Sequence, residues 1–272
     1  MVPHEPWQEK PIPIAPGIWP KVLALVKQKL GNGTYEWLQS SYRGRIFPVL
    51  KKDGSPRLVH DMQRLNSVTI RDSTLPPNIE DVVESLAGRA CYTLFDIFVG
   101  YDNRMLAPES RDLTSFLVPG FSLLCLTSLP MGTTNAMAEF QACMTFILQA
   151  EIPDLVAVFV DDCAVKGPKT HYELGDSYEV LDANPGIRRF IWEHAQDVHR
   201  VLHRIGHAGA TVSAPKLQLA ISECHLLGSV CMYDGRVPDE SKVSKICNWP
   251  ECQTISDVRA FLGTCGVIRA WI

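Results

Sequence analysis

The chain has 272 residues, 46% of them hydrophobic, and a formal net charge of −4 at pH 7. This composition excludes a disordered chain, because so many apolar residues can bury a core. It also excludes a surface that is basic throughout, so any bound nucleic acid must be held by local clusters of Lys and Arg.

The pattern of cysteines and the hydropathy of the sequence indicate the cellular compartment in which the protein works. Nine cysteines are scattered without a CxxC pair, which is typical of reduced thiols in an intracellular protein. No stretch is long and apolar enough to span a membrane, and the N-terminus lacks the layout of a signal peptide. We therefore expect a cytoplasmic protein without membrane contact.

The elements up to residue 150 are predicted from periodicity and breakers. In chain order they are an extended lead-in at 1–20, a helix at 21–30, hairpin strands at 45–51 and 57–60 around Lys52-Asp53-Gly54-Ser55, a helix at 79–87, a strand at 92–96, strands within 112–130 and a helix at 135–150. The hairpin is indicated by Asp-Gly between two β-branched runs.

After residue 150 the sequence pattern predicts another hairpin and two more helices. In chain order we expect a strand at 155–160, a turn at Asp161-Asp162, a strand at 163–166, a polar loop at 167–186, a helix at 187–205, strands within 211–233 and a helix from residue 256 to the end. Because strands and helices do not alternate regularly, the pattern favours an α+β fold.

Carboxylates follow apolar strands at two places in the chain. Asp96 ends the strand at 92–96, and Asp161 and Asp162 follow the strand at 155–160. Adjacent Asp residues are also ordinary turn chemistry, so the pair alone leaves a solvated turn open. Two strand-end carboxylate sites in one small sheet can hold two divalent ions for phosphoryl transfer.

Six motifs in order resemble those of reverse transcriptases of gypsy-type LTR retrotransposons, the polymerase core of a Pol polyprotein. They are Lys51–Asp61 with Leu65-Asn66, Phe95–Tyr101, Leu129–Ala136, Phe159–Asp162, Leu226–Gly228 and Phe261–Gly263. The resemblance implies a right-hand polymerase fold, in which a palm with an antiparallel sheet backed by helices is joined to a fingers subdomain. It also implies an N-terminal lead-in and helix at 1–34, fingers and palm at 35–232, and the start of a thumb or connection at 233–272, cut from a longer polyprotein.

The resemblance also implies a metal site. Asp96, Asp161 and Asp162 would be the catalytic carboxylates and, with the backbone carbonyl of Ile97, would hold two Mg²⁺ ions, for which Mn²⁺ is a possible substitute.

It further implies a nucleotide site. Lys51 and Arg57 would contact the triphosphate, Tyr101 would exclude a 2′-hydroxyl, and Met131 would lie in the nucleotide-site turn. Met131 departs from the aromatic residue or glutamine of relatives, and Gln63 from their arginine.

The expected activity is RNA-directed DNA polymerisation, in which a DNA primer on an RNA or DNA template is extended with dNTPs. Ribonuclease H and integrase are expected partners in the full polyprotein, and virus-like particles are a further location. Two alternatives stay open: a catalytically decayed fragment that only binds nucleic acid, and a different two-metal enzyme such as a nuclease. Arg200 and Arg204 are candidate contacts to the template–primer backbone.

Overall fold

The computed structural model describes residues 1–51 and 54–271. Its helices, numbered in chain order, are α1 Trp19–Gly31, α2 Gln63–Val68, α3 Ile79–Leu86, α4 Pro108–Arg111, α5 Ala136–Leu148, α6 Arg189–His207, α7 Glu240–Cys247 and α8 Ile255–Val267. Its strands are β1 Tyr35–Trp37, β2 Arg45–Leu50, β3 Pro56–Asp61, β4 Tyr92–Asp96, β5 Phe116–Leu117, β6 Leu123–Leu126, β7 Val156–Phe159, β8 Asp162–Lys166, β9 Glu173–Leu174, β10 Ser177–Tyr178, β11 Val180–Leu181, β12 Asn184–Arg188, β13 Gln218–Ile221, β14 Cys224–Leu226, β15 Ser229–Met232 and β16 Gly235–Pro238.

Most predicted elements are confirmed within two or three residues. The hairpin of β2 and β3 is present, but Lys52 and Asp53 of its predicted turn lie outside the described residues. The loop predicted at 167–186 is wrong, because this segment forms the small hairpins β9–β10 and β11–β12. The prediction rested on the polar composition of the segment and overlooked Tyr172 and Tyr178. These two side chains pack against a buried cluster that includes Phe190, which helps to order the segment.

The chain divides into two compact units. The first contains Met1–Leu75 and Val99–Phe140. Its core is built from apolar side chains of α1 and of the antiparallel sheet β1–β6–β5. Val22, Val26 and Leu124 are fully buried there, so the helical spacing read in the sequence corresponds to the buried face of α1.

The second unit contains Pro76–Phe98 and Gln141–Ile272. Its centre is an antiparallel sheet in the order β13–β4–β8–β7. Because side chains alternate along a strand, Tyr92 and Leu94 of β4 pack with α3 on one face. On the other face Thr93 hydrogen-bonds His194 of α6, 2.8 Å between Oγ1 and Nε2. This unit is an antiparallel sheet backed by helices, as the α+β prediction requires.

Two features bear on the environment of the chain. All nine cysteines are free thiols. Within residues 1–51 and 54–271, no helix is both long enough and apolar enough to cross a membrane.

Candidate active site

The predicted carboxylates lie together at one end of the second unit's sheet. β4 and β8 pair antiparallel in a register that places Asp96 opposite Asp162. The backbone N–H of Ile97 donates to the carbonyl of Asp161 at 3.3 Å. Antiparallel pairing at the two strand ends therefore brings together residues that are distant in sequence.

A strained turn aims Asp161. Val160, which precedes it, has φ of +58°, a left-handed conformation that β-branched residues rarely adopt. Its N–H donates to Oε1 of Gln141 at 2.7 Å, and Nε2 of Gln141 donates to the carbonyl of Val158 at 3.4 Å. Gln141 is buried and holds both sides of the turn from α5. Gln141 was not predicted from the sequence, although a glutamine among the mostly apolar residues of α5 was a usable signal.

Lys216 is the second residue that our sequence analysis missed. The backbone after β4 continues to pair, since the N–H of Ser213 donates to the carbonyl of Asp96 at 2.9 Å. A 3-10 turn at Ala214–Lys216 then returns Lys216 to this strand end. Nζ of Lys216 pairs with Oδ2 of Asp96, and this hydrogen bond raises the pKa of Lys216.

Negative charge is concentrated at this strand end. Burial, followed by repulsion from Asp161 and Asp96, raises the pKa of Asp162. Oδ1 of Asp96 is buried and has no hydrogen-bond partner within the described chain.

The donor set fits a divalent cation. Carboxylate oxygens are the ligands that Mg²⁺ prefers, and a cation would relieve both the repulsion and the unsatisfied oxygen. In the conformation described for residues 1–51 and 54–271, no three His, Cys, Asp or Glu side chains form a ready metal-binding group. Asp96 is instead engaged by Lys216.

Predicted nucleotide-binding residues line a cleft in the first unit. Lys51, Arg57 and Met131 lie in the wall of this cleft, which measures about 410 Å³, together with Lys29 and Asp102. Nη2 of Arg57 donates to Sδ of Met131 at 2.9 Å. Since a thioether is a weak acceptor, this contact orients the guanidinium without neutralising its charge.

Tyr101 lies next to this cleft, on the 3-10 turn Gly100–Asn103. Val99 and Asp102, on either side of it, line the cleft. The Tyr101 ring itself stacks on Phe140 of α5, with centroids 4.7 Å apart and an interplanar angle of 15°. The aromatic ring is thus held on a helix rather than buried in the main core.

Arg200 and Arg204 have a protein partner. Both pair with Glu151, at 3.1 Å and 2.7 Å, and the Glu151 side chain is buried. Their helix α6 covers the sheet face opposite to the one that carries Asp96, because Asp96 alternates with Thr93 along β4. The template-contact hypothesis for these two arginines stays a prediction.

Comparison with known proteins gives the family. The family model described as reverse transcriptase (RNA-dependent DNA polymerase) matches residues 49–231. The Pol polyprotein of the transposon gypsy from Drosophila melanogaster is 29% identical over 278 residues, covering 100% of this chain and 25% of the relative. The Pro-Pol polyprotein of Simian foamy virus type 1 is 24% identical, covering 98% of this chain and 21% of the relative. The chain thus spans about a quarter or less of the length of these relatives.

Solved structures share the fold. The foamy viral protease-reverse transcriptase in complex with double-stranded DNA superposes with a TM-score of 0.82 at 23% identity, over 98% of this chain and 43% of that one. The same viral enzyme in complex with an RNA/DNA hybrid gives a TM-score of 0.78 at 22% identity, over 98% of this chain and 33% of that one. The α+β polymerase fold expected from the motifs is thereby confirmed. With more than half of its length matched by the family model, the chain belongs to the reverse transcriptase (RNA-dependent DNA polymerase) family.

Proposed function

We propose that this chain is the polymerase core of a retrotransposon reverse transcriptase, which extends a DNA primer on an RNA or DNA template with dNTPs. The observation that carries the proposal is the register of β4 and β8, which sets Asp96 opposite Asp162, while Asp161 lies on the turn between β7 and β8. In a chain of this family, such an acidic strand end is the natural place for phosphoryl transfer.

Within this proposal, Asp96, Asp161 and Asp162 hold two Mg²⁺ ions, with the carbonyl of Ile97 as a further ligand and Mn²⁺ as a substitute. When bound, the metal activates the primer 3′-hydroxyl and neutralises charge on the transferring phosphoryl group. The protein's own part is positioning. Gln141 fixes the strained turn at Val160, so the Asp161 carboxylate does not have to reorganise during the reaction.

The cleft of the first unit supplies the nucleotide contacts. Arg57 presents a planar fork that suits phosphate oxygens, and Lys51 adds a point charge. Met131 occupies the nucleotide-site turn and packs beside Arg57. Tyr101, stacked on Phe140, stands against the sugar and disfavours a 2′-hydroxyl.

The domain division, the binding partners and the cellular location are proposals as well. We propose that the chain consists of a lead-in and helix at 1–34, fingers and palm at 35–232, and the start of a thumb or connection at 233–272. Foamy viral relatives were solved with double-stranded DNA and with an RNA/DNA hybrid, which supports a template–primer duplex as partner here. Ribonuclease H and integrase would be partners within a longer Pol polyprotein, acting in the cytoplasm or in virus-like particles.

The test is primer extension by the purified chain with Mg²⁺, an RNA template, a DNA primer and dNTPs. Asp161→Asn should abolish extension while leaving the circular dichroism spectrum unchanged. Asp154→Asn, which alters an exposed carboxylate nearby in sequence, is the matched control and should extend normally.

Each alternative gives a different result. Wild-type extension that survives Asp161→Asn would show that the site is misassigned. Salt-dependent duplex binding without any extension would favour the catalytically decayed fragment. Degradation of the duplex that depends on the same carboxylates would favour a nuclease.

A further inference from the structure

The turn that carries Tyr101 is short and strained. It is a single 3-10 turn, Gly100–Asn103, and the residue before it, Val99, has φ of +50°. A valine persists in the left-handed region only when surrounding contacts hold it there. The position of Tyr101 is therefore set by contacts that reach this turn from other elements.

One set of contacts comes from α5. The Tyr101 ring stacks on Phe140. One residue earlier on the same helix, Glu139 accepts a hydrogen bond from Nε of Arg104 at 2.9 Å. These contacts hold one face of the ring and the C-terminal end of the turn.

The other contact comes from α1. Nζ of Lys29 donates to Oδ2 of Asp102 at 2.9 Å, and the two side chains are only 24% and 29% exposed. Asp102 directly follows Tyr101, so any displacement of its backbone is passed to the tyrosine. Partial burial reduces screening by solvent and salt, which makes this pair stronger than a fully exposed one.

Lys29 is itself held firmly. It follows Val26 by three residues, and i,i+3 residues share a helix face. Val26 is completely buried, as is Val22 one turn earlier. Nζ of Lys29 also lies 5.5 Å from the ring centroid of the buried Tyr35, a cation–π distance. α1 therefore presents a fixed cation to the turn.

We propose that Lys29, acting through Asp102, is a positioning residue that sets sugar specificity by fixing Tyr101 in its turn. This inference rests on the proposed function, in which Tyr101 discriminates against a 2′-hydroxyl. The two sugars differ by one oxygen atom, so a displacement of the ring by about 1 Å is enough to admit the wrong one.

The experiment measures kcat and KM for a dNTP and the matching rNTP in primer extension, and compares the two values of kcat/KM. The variants are Lys29→Met, Asp102→Asn and the reversed pair Lys29→Asp with Asp102→Lys. Lys27→Met is the matched control, because Lys27 is an exposed lysine on the same helix. Tyr101→Ala reports on the tyrosine itself.

We expect Lys29→Met and Asp102→Asn each to lower the dNTP preference by about three- to tenfold, an effect of the size usual for a coupled pair. The loss should come mainly from a lower KM for the rNTP. The reversed pair should recover much of the preference, and Lys27→Met should keep it. Asp102→Asn tests the idea independently if Lys29→Met does not fold.

Three results would overturn the inference. If both single variants keep the wild-type preference while Tyr101→Ala loses it, the pair does not position the ring. If KM rises equally for both nucleotides, Lys29 contacts the triphosphate directly. If Tyr101→Ala itself keeps the preference, the proposed role of Tyr101 fails and the inference fails with it.

Discussion

Lys216 and Asp96 form an ion pair between a mostly exposed ammonium group and a buried carboxylate. The lysine lies beside an acidic strand end where Asp161 and Asp96 both repel Asp162, and it counteracts that repulsion. It thus acts as an internal counterion to the proposed metal ligands. A divalent cation that binds the same carboxylates must compete with it.

Lys216→Met should therefore raise the affinity of the free protein for Mn²⁺. Removing the ammonium leaves more uncompensated negative charge beside the carboxylates, and we expect the Kd to fall by about three- to tenfold, since the lysine is largely solvent-screened. Electron paramagnetic resonance of unbound Mn²⁺ measures this without catalysis. Lys245→Met, an exposed lysine on α7, should leave the affinity unchanged. An unchanged or weaker affinity in Lys216→Met would refute the counterion role.

Gln141→Leu should destabilise the protein and slow catalysis together. The substitution leaves the N–H of Val160 buried without an acceptor, which costs about 1–3 kcal/mol of unfolding free energy. The turn then relaxes and Asp161 loses its fixed orientation, so kcat should fall. Urea denaturation and primer extension measure the two effects.

Gln149→Ala is the control for this substitution. Gln149 is exposed just beyond the end of α5, and removing it should change the unfolding free energy by less than about 0.5 kcal/mol. A Gln141→Leu protein as active as the wild type would show that the turn keeps its conformation without the glutamine.

The sequence predicted those parts of the site that depend on local pattern. The run Tyr92–Asp96 was predicted as a short strand that ends in a carboxylate, and in the structure it is a strand whose five residues are all buried. The pairing of Asp96 with Asp162 could be anticipated because acids follow two apolar strands of one small sheet; in the structure Asp96 ends β4 and Asp162 begins β8. Local pattern thus determined the strands and which ends are acidic.

The long-range contacts of the site could not be predicted from the sequence pattern. Lys216 reaches Asp96 across 120 residues, and no periodicity marks a single lysine after a proline. The left-handed conformations of Val99 and Val160 could not be predicted either, because valine ordinarily indicates a β-strand. Tertiary contacts, such as that of Gln141, impose these conformations against the local preference of the residue.

His60 should make the protein acid-sensitive. Burial, with a further contribution from the charge of Lys29, lowers the pKa of His60 to about 3, and its Nε2 is hydrogen-bonded to the Tyr35 hydroxyl at 2.9 Å. The unfolded chain has an ordinary histidine pKa near 6.5. Below that pH the unfolded state binds a proton that the native state does not, so this stability is present above about pH 6.5 and is lost as the pH falls.

The measurement compares the unfolding free energy of wild type and His60→Gln at pH 7 and pH 4. Wild type should lose on the order of 3 kcal/mol more than the variant over this interval. The variant should be less stable at pH 7, because it lacks the histidine ring packed against Tyr35 and Phe116. Parallel losses in the two proteins would mean that His60 titrates normally in the native state.

Gly167→Ala should disrupt the junction that follows β8. The N–H of Gly167 donates to the carbonyl of Cys91 at 2.8 Å, so the two backbones approach closely just before β4 begins. A Cβ at this position would lie 2.5 Å from the Cys91 carbonyl oxygen and 2.7 Å from its Sγ. The backbone oxygen cannot move without breaking the pairing of Tyr92 with Lys166. We expect a loss of about 2–3 kcal/mol in unfolding free energy, in the range of overpacked cores.

Gly263→Ala is the opposite case and serves as the control. Gly263 lies inside α8, and a Cβ there meets no atom within 4 Å. Alanine should therefore stabilise the helix by about 0.5–1 kcal/mol. Urea denaturation of both variants compares their unfolding free energies. Primer extension reports whether the backbone displacement caused by Gly167→Ala reaches Asp96 at the other end of β4. If Gly167→Ala unfolds at the wild-type urea concentration, the close approach of the two backbones is not needed for stability, and β4 must be held in place by its pairing with β8 and β13 alone.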